Sequence, residues 1–479
     1  MLITSLLFLG GIFIKLNTLY EGDCREILTQ IEDNSIDSIV TDPPYELTQS
    51  KKSKKGFMGK EWDGSGIAYD EKVWSECMRV LKPGAYCLAF GGSRTFHRLV
   101  CAIEDVGFII HPMIGWVFGS GFPKATNLSK QFDKVAGAER KITGKEKYDA
   151  LTELYKIGED KDNIRTDINI TESSTDLAKK WDGYYYGRQS LKPALEPICM
   201  AQKPISEKRM VDNVVKWGVG AINVDGCRVG SDTVKTMARS DTKHGKSNSL
   251  GSSWSGNIDE SERTGRFPAN LILQHSPGCE RVGDKKVKTG KGTRGSYIGT
   301  QDRYDGKGYG IQATYEPVGF ADPDGTETIP SYECEEDCPI KLMNEQSGIS
   351  KSATGGTKRK SSIFLANNND NLPWHNFGDT GGASRYFKNI DPDPFFYCAK
   401  ASKKERGENN SHPTVKPIKL LTYLVRLVTP PNGTILDPFI GSGSTAIAAK
   451  QENFNYIGIE LNAEYINIAN DRIENYKYK

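Results

Sequence analysis

The segment Thr41-Asp42-Pro43-Pro44-Tyr45 carries groups that could hold the exocyclic amino group of a nucleobase. Such a group, once outside the duplex, needs hydrogen-bond acceptors for both of its hydrogens. The Asp42 carboxylate and the Pro43 carbonyl can supply them and draw the nitrogen lone pair out of ring conjugation. Pro43 and Pro44 stiffen the loop, and Tyr45 could stack on the flipped base. The alternative interpretation is a Pro-Pro turn with a capping Asp.

A second segment, Asp437-Pro438-Phe439-Ile440-Gly441-Ser442-Gly443-Ser444-Thr445, lies between a predicted strand and a predicted helix. The two glycines allow a tight turn, and the helix start offers free N–H groups to a carboxylate. Glu460 ends the next strand, where an acidic side chain can accept both ribose hydroxyls of an adenosine. No Gly-Lys-Ser/Thr follows the loop, so a phosphate-binding P-loop is disfavoured. The pattern predicts an adenosine-containing cofactor, and an ordinary tight turn is the alternative.

A third constellation has the residue types of a metal site. His275-x3-Cys279 and Cys334-x3-Cys338 form two pairs, each with a spacing that can chelate one ion. Together they would make a closed tetrahedral site of three cysteines and one histidine, which is typical of structural zinc. Against this, the spacing is looser than Cys-x2-Cys and the pairs are far apart, so unconnected thiols remain the alternative.

Short apolar runs and helical periodicity predict the elements that position these groups. Strands are expected at 36–40, 86–90, 434–436 and 456–459, and helices at 73–81, at 420–427 and from 445 onward. Ile466, Ala469 and Ile473 share one face of a last helix. Strands that alternate with helices favour a parallel α/β sheet, and we expect the two α/β regions to be halves of one sheet.

The two loop segments, in this order, resemble the amino-methyltransferases that modify DNA. Because the Asp-Pro-Pro-Tyr segment comes first, the chain resembles the β-group, whose fold is a circularly permuted Rossmann-like methyltransferase sheet. His412-Pro413-Thr414-Val415-Lys416-Pro417 is similar to the His-Pro-Thr-x-Lys-Pro signature of this family. Gly22-Asp23-Cys24 is similar to the opening of such enzymes, where the Asp lies near the adenine of the cofactor.

The resemblance implies S-adenosylmethionine as the cofactor and double-stranded DNA as the partner. It implies base flipping and direct in-line methyl transfer, with Asp42, Pro43, Pro44 and Tyr45 as catalytic residues. Lys416 or Thr414 could bind the methionine carboxylate. The cofactor-binding set is Asp23, His412, Thr414, Lys416, Asp437, Pro438, Phe439, Gly441, Ser442, Gly443, Thr445 and Glu460.

Asp rather than Ser at position 42 favours N6 of adenine within this family, and N4 of cytosine is the alternative. A glutamine or RNA amino-methyltransferase is disfavoured, because those relatives usually carry Asn there. A hypothesis of another class is a non-catalytic descendant that binds DNA or the cofactor. The resemblance also raises a homodimer and a cognate restriction endonuclease as partners, neither of which the sequence decides.

Composition and hydrophobic patterning along the chain suggest four regions. They are an apolar N-terminal extension (1–16), a first catalytic half (17–124), an inserted target-recognition region (125–393) and a second catalytic half (394–479). Three middle stretches, 115–124, 192–197 and 266–270, resemble large methyltransferases of phages and mobile elements. Basic residues in the insertion could track DNA phosphates or simply face solvent: Lys285, Lys286, Lys288, Lys291 and Arg294. For Trp181 and Tyr184–Tyr186 we expect core packing rather than base stacking.

Composition adds limits on environment and on charge. The 479 residues carry a formal net charge of +2, so DNA phosphates would have to meet local basic clusters rather than a global field. The apolar run from Leu2 to Ile14 is too short to span a bilayer and lacks the basic start of a signal peptide. Ten cysteines without a secretory signal favour a reducing compartment. We therefore expect a cytoplasmic protein without a membrane anchor.

Overall fold

The structure of the protein is a computed structural model. The structure describes residues 14–47, 64–118, 124–147, 167–239, 258–276, 278–288, 292–297, 313–318, 326–336, 338–348, 350–351, 380–381, 383–390 and 415–476. Within these ranges no helix is both long and apolar enough to cross a membrane. The predicted N-terminal extension falls outside them except at its end, where Ile14 is buried.

Ten strands of the described residues form one mixed sheet. We number strands in chain order; across the sheet they run β1 (Thr18–Glu21), β22 (Asn455–Glu460), β21 (Thr434–Asp437), β2 (Ile36–Thr41), β3 (Leu81–Phe90), β10 (Leu195–Gln202), β5 (Ile114–Val117), β13 (Leu271–Gln274) and β20 (Lys388–Ile390), with β4 (Ile109–Ile110) beside β10. The first five are mutually parallel, and β10 is antiparallel to β3, β4 and β5.

Ten helices lie in the described residues, and all but the fourth and fifth contact strands of this sheet. In chain order they are α1 (Cys24–Ile27), α2 (Glu71–Val80), α3 (Phe96–Asp105), α4 (Leu128–Val135), α5 (Asp176–Lys180), α6 (Met210–Trp217), α7 (Pro339–Ser347), α8 (Ile418–Val428), α9 (Ser444–Gln451) and α10 (Ala463–Asn475). Short 3-10 turns lie at Leu28–Gln30, Ile67–Tyr69, Asp225–Cys227 and Ala383–Tyr386. Alternate strand residues enter separate cores: Val40 packs on the side of α8 and α9, and Ile39 on the side of α2 and α3. A sheet buried on both faces explains its nearly continuous apolar strands.

The remaining strands pair as separate two-stranded antiparallel ribbons. They are β6 (Lys124–Asn127) with β9 (Tyr185–Gln189), β7 (Ile142–Lys147) with β8 (Asp167–Thr171), β11 (Val229–Arg239) with β12 (Ile258–Arg266), β14 (Glu280–Lys288) with β17 (Thr326–Glu333), β15 (Gly292–Tyr297) with β16 (Ala313–Val318), and β18 (Ser350–Lys351) with β19 (Thr380–Gly381). All of them come from the middle of the chain.

The sheet confirms the predicted fold class. β21 and β22 come from the end of the chain and lie between β1 and β2 from its beginning, so the two α/β regions complete one Rossmann-like sheet in permuted order. The middle of the chain also contributes to it, because β10, β13 and β20 belong to the same sheet. The division at 125 and 393 stays a prediction, and the segments that lie outside the sheet are shorter than that division implies.

Candidate active site

The two loop segments meet at one edge of the sheet. β2 and β21 are parallel neighbours, so Asp42, just after β2, and Asp437, at the end of β21, lie at adjacent carboxyl ends. Thr41 Oγ1 donates a hydrogen bond of 2.6 Å to Asp437 Oδ1, and both residues are buried. Ligands of open α/β sheets bind at the carboxyl ends of the strands. The fold thus joins segments 396 residues apart in sequence at the expected binding edge.

Asp42 has one occupied carboxylate oxygen and one without a hydrogen-bond partner. Lys416 Nζ donates to Asp42 Oδ2 at 2.6 Å, and the Lys416 side chain is 4% exposed. Asp42 Oδ1 is buried and has no partner among the residues that the structure describes. A buried carboxylate oxygen without a donor is costly. The arrangement leaves one strong acceptor available for a ligand N–H group.

Glu196 joins the same cluster from β10. Tyr45 Oη donates to Glu196 Oε2 at 2.8 Å, and Lys416 Nζ lies 3.6 Å from that oxygen. Burial raises the pKa of Glu196, and the Lys416 charge opposes that rise. Lys416 also lies 5.1 Å from the ring centroids of Tyr45 and Phe90, within cation–π range. A buried lysine between two carboxylates and two rings therefore has its charge well compensated.

Two hydrogen bonds hold Tyr45, one at its hydroxyl and one at its backbone carbonyl. Its hydroxyl donates to Glu196, and its backbone carbonyl accepts a 2.7 Å hydrogen bond from Thr95 Oγ1. Burial raises the pKa of Tyr45, and the Asp42 and Glu196 carboxylates raise it further, so the phenol stays protonated and can donate. The ring is consequently fixed beside Asp42 in a single orientation.

The glycine loop between β21 and α9 needs both of its glycines. Gly441 has φ +52° and Gly443 has φ +83°, in the left-handed region that favours glycine. A Cβ on Gly443 would lie 3.0 Å from Ala469 Cβ on α10, so the loop packs directly on that helix. Arg472, also on α10 and buried, donates to the Ser442 carbonyl and to Ser442 Oγ at 2.9 Å. The loop is therefore preshaped by packing and by a buried guanidinium.

Two acidic residues flank this loop. Asp437 accepts from Phe439 N at 3.0 Å as well as from Thr41, and burial raises its pKa to about 6. Its carboxylate therefore accepts one hydrogen bond from the loop itself and one from the neighbouring strand β2. Glu460 accepts from Gly441 N at 3.1 Å and from Asn462 N at 2.9 Å, while burial raises its pKa. Glu460 stands at the end of β22, beside the loop, as its sequence position suggested.

Some of the other predicted cofactor residues lie near the carboxyl ends of the strands. Others lie outside the described ranges. Asp23 follows β1, next to β22, and caps α1 by accepting from Arg25 N at 2.9 Å. The Arg25 guanidinium holds the pKa of Asp23 below its usual range. Pro438 and Ser442 are buried in the loop, Thr445 is buried in the first turn of α9, and Phe439 is partly buried. His412 and Thr414 lie outside the described residues.

Sequence reasoning missed Glu196 and Arg472 as site residues. Glu196 was noted only within the stretch 192–197, and an isolated glutamate in a strand carries no chemical signature by itself. A usable signal was its place in an otherwise apolar strand, where burial of a charge demands a partner. Arg472, on the buried face of a helix, carried the same signal.

The middle region gives a mixed outcome for its aromatic residues. The predicted core packing is wrong for the three tyrosines: Tyr184, Tyr185 and Tyr186 are 58%, 58% and 51% exposed. They lie in and next to β9, which pairs with β6 in a two-stranded ribbon outside the main sheet and its cores. Trp181 packs edge-on against Tyr184, with ring centroids 5.1 Å apart.

The predicted basic cluster lies partly in two other ribbons. Lys285 and Lys286 are exposed on β14, Lys288 and Arg294 lie in β14 and β15, and Lys291 is outside the described residues.

The four predicted metal ligands come together. One ligand atom from each of His275, Cys279, Cys334 and Cys338 lies within 4.8 Å of the others. His275 Nδ1 is 3.4 Å from Cys334 Sγ and 3.6 Å from Cys338 Sγ. Three of the four residues are buried and Cys334 is partly buried. The residues that the spacing left as two separate pairs therefore form one cluster.

Known proteins resemble this chain over short segments of sequence. Type II methyltransferase M1.MboII of Moraxella bovis is 48% identical over 60 residues, 12% of this chain and 23% of the relative. Type II methyltransferase M2.DpnII of Streptococcus pneumoniae is 41% identical over 78 residues, 16% of this chain and 29% of the relative. The chain thus spans less than a third of the length of these curated relatives.

Solved structures align along most of the chain at low similarity. The PvuII DNA methyltransferase (cytosine-N4-specific) has a TM-score of 0.34 and 13% identity, and the alignment covers 96% of this chain and 88% of that one. The M1.HpyAVI–SAM complex has a TM-score of 0.32 and 13% identity, with 95% and 98% covered. The family model described as DNA methylase, N6_N4_Mtase, matches residues 36–471, which include both loop segments and the strands that carry them. The chain therefore belongs to the N6/N4 DNA methylase family.

Proposed function

We propose that this protein transfers a methyl group from S-adenosylmethionine to the N6 amino group of adenine in duplex DNA. The observation that carries the proposal is the Asp42 carboxylate. One of its oxygens is paired with Lys416, and the other is buried without a partner among the described residues. An amino group presented beside Tyr45 would satisfy that oxygen, and the Pro43 carbonyl would accept the second hydrogen.

The residues of the cluster divide the work of orienting the base. Lys416 holds Asp42 Oδ2, so the carboxylate cannot rotate freely and Oδ1 keeps one orientation. Tyr45, held by Glu196 and Thr95, offers its ring as a stacking platform for a flipped base. We interpret Lys416 as a positioning residue for Asp42 in this arrangement, which differs from the methionine-carboxylate role that the sequence suggested.

The cofactor side of the site fits an adenosine-containing ligand. The preshaped Gly441–Gly443 loop starts an α-helix, and Glu460 ends the adjacent strand next to it. S-adenosylmethionine, when bound, supplies an electrophilic methyl group on a sulfonium. Asp42 and the Pro43 carbonyl would hold the base nitrogen in line with that methyl group. The electrons of the carbon–sulfur bond would leave with sulfur, and the proton released by the nitrogen would pass to solvent. The chain contributes orientation and electrostatics and forms no covalent bond to the substrate.

The choice of adenine over cytosine rests on Asp rather than Ser at position 42, by resemblance to the family. N4 of cytosine is the alternative, because it is also an exocyclic amino group and would make the same two hydrogen bonds. The middle of the chain supplies the surfaces we propose for target recognition: the ribbon with exposed Tyr184–Tyr186 and the ribbon with Lys285 and Lys286. A cognate restriction endonuclease and a homodimer remain compatible proposals.

The test is an in vitro methylation assay with radiolabelled S-adenosylmethionine and unmethylated duplex DNA. DNA is digested to nucleosides and the labelled product is identified by mass spectrometry. We expect N6-methyldeoxyadenosine from the wild type, and a loss of at least about 1000-fold in Asp42→Ala, because the main acceptor for the amino group is removed. Both proteins should bind the cofactor equally in calorimetry. N4-methyldeoxycytidine would overturn the base assignment. Cofactor binding without transfer to any DNA would favour a non-catalytic descendant.

A further inference from the structure

We propose that His275, Cys279, Cys334 and Cys338 bind one structural zinc ion, which fastens the middle region of the chain to the edge of the catalytic sheet. This inference does not depend on the proposed methyl transfer. It rests on the geometry of four side chains, on the backbone around them and on the elements that they connect.

The distances fit a tetrahedral zinc site. Zinc–sulfur bonds of about 2.3 Å and zinc–nitrogen bonds of about 2.0–2.1 Å, at tetrahedral angles, place a ligand sulfur and a ligand nitrogen about 3.6 Å apart. The distances from His275 Nδ1 to Cys334 Sγ and Cys338 Sγ are 3.4 and 3.6 Å. All four ligand atoms fall within 4.8 Å of one another. One imidazole nitrogen therefore faces the thiols at the edge length of such a tetrahedron.

The backbone around the thiols is arranged as in a metal-binding turn. Cys279 N bonds to Ser276 O at 3.0 Å, and Cys338 N bonds to Glu335 O at 3.2 Å, so each pair ends in a tight turn. Cys338 is also the N-cap residue of α7, where the helix dipole favours negative charge. Zinc binds cysteine as the thiolate, so this position suits a zinc ligand.

The site is closed, which indicates a structural role. Four protein ligands complete a tetrahedron and leave no position for water or substrate. The ring of His275 stacks on Tyr332 with centroids 3.8 Å apart, which holds the imidazole in its orientation. Among the described residues, the core around it is small and includes Leu273 and Ile340. A region with so small a core gains stability from a metal ion that crosslinks its segments.

The ligands lie in segments that adjoin four different elements. His275 directly follows β13 of the main sheet, Cys279 precedes β14, and Cys334 and Cys338 lie between β17 and α7. Gln274 at the end of β13 accepts a 2.9 Å hydrogen bond from the buried Trp116 indole on β5. The ion would therefore fix the base of the β14–β17 ribbon, which carries Lys285 and Lys286, to a strand two places from β10 and Glu196.

The direct test is the metal content of the full-length protein, purified without chelators and without a polyhistidine tag. We expect about one zinc ion per chain by elemental mass spectrometry. We expect cobalt exchange to give the visible bands of a tetrahedral thiolate site. Cys338→Ser should retain less than about a fifth of the zinc, whereas His275→Cys, which keeps four ligands, should retain most of it. Limited proteolysis should cut the β14–β17 ribbon faster in Cys338→Ser than in the wild type.

Two control variants separate metal binding from general damage. Cys101→Ser replaces an exposed thiol on α3, and Cys199→Ser replaces a buried thiol on β10 far along the chain from the cluster. Both should keep their zinc. Wild-type protein with no zinc after anaerobic purification from zinc-supplemented cells would overturn the proposal, as would a disulfide between two of the three cysteines. Cofactor binding measured on the same samples distinguishes this failure from failure of the methyltransferase assignment.

Discussion

Asp42 and Lys416 are 374 residues apart in the chain and form an ion pair of 2.6 Å at the carboxyl edge of the sheet. The pair places one carboxylate oxygen and leaves the other for a ligand. Glu196 holds the opposite side of Lys416 and the hydroxyl of Tyr45. At the scale of single residues, the site is thus a network of charged and polar groups that hold one another in fixed orientations without a ligand. Preorganisation of this kind is where a direct transfer gains its rate.

Glu196 should behave as a positioning residue. Glu196→Ala removes the acceptor that holds Tyr45 and one of the two charges that flank Lys416. We expect a roughly 10- to 100-fold lower kcat with little change in KM for the cofactor, because a small misplacement of the base is costly. Glu196→Gln keeps an acceptor for Tyr45 and should retain most of the activity. Steady-state kinetics of both variants is the measurement.

The control for Glu196 is Glu207→Ala, which removes a surface carboxylate paired with Lys216. It should leave kcat unchanged. Equal losses in Glu196→Ala and Glu196→Gln would show that charge rather than Tyr45 orientation matters, and wild-type kinetics in Glu196→Ala would contradict the role altogether.

Asp437 should make stability depend on pH. Burial raises its pKa to about 6, so the folded chain holds this proton at a pH where the unfolded chain has released it. Its stabilising effect is therefore fully present below about pH 4 and is lost as pH rises through about 6. Over that window, the free energy of unfolding of the wild type should fall by roughly 3 kcal/mol more than that of Asp437→Asn. Urea unfolding at several pH values checks this, and parallel pH curves for the two proteins would refute it.

The individual side chains of the site were only partly predictable from sequence. Asp42, Tyr45, Gly441, Gly443 and Glu460 stand in short motifs whose spacing has a chemical reason, and the structure places them along one edge. Glu196 and Arg472 belong to no such motif. Their partners, Tyr45 and Lys416 in one case and Ser442 in the other, come from distant segments, so only the fold brings the contacts about.

At the scale of elements, the glycine loop depends on its contact with α10. Gly443→Ala combines a positive φ with a Cβ only 3.0 Å from Ala469 Cβ and 3.2 Å from Ala469 Cα. The conformational cost alone is about 1–2 kcal/mol, and the contact should add about 1 kcal/mol or more. We expect a lower Tm and weaker cofactor binding, measured by thermal unfolding and calorimetry.

Gly183→Ala is the matched control for this change. Gly183 has φ +79° and no atom within 4 Å of a Cβ, so it isolates the backbone cost from the contact. It should destabilise the protein less than Gly443→Ala and leave cofactor binding unchanged. Equal destabilisation by the two variants would argue against close packing of the loop on α10.

Most strands and helices of the two predicted catalytic halves could be expected from periodicity. The start of β3 and the sheet strands from the middle of the chain could not. Strand β3 begins at Leu81 rather than after Pro83-Gly84, because the strand tolerates an irregularity there and the Asn213 side chain donates to the Pro83 carbonyl at 2.8 Å. β10, β13 and β20 were hidden in a polar region. Short strands of this kind become recognisable only through their partners in the sheet.

At the scale of the whole molecule, one sheet carries the loop that we propose orients the base, the loop that we propose binds the cofactor, and the attachment of the middle region. β2 and β21 bring the two loops side by side, while β10 and β13 connect the sheet to the ribbons that we propose for DNA recognition. The order of the motifs, through its resemblance to the β-group of amino-methyltransferases, predicted the permuted sheet. The ribbons were not predictable individually, since their pairing depends on contacts between polar, glycine-rich segments.

The most direct test of this account is single-molecule sequencing of DNA from methylation-free cells that express the wild type or Asp42→Ala. We expect N6-methyladenine at one short sequence motif in the wild type and none in the variant. N4-methylcytosine at a defined motif would keep the fold and the amino-transfer chemistry but contradict the adenine assignment. DNA without any modified base, from cells that contain folded protein able to bind S-adenosylmethionine, would contradict the proposed activity itself.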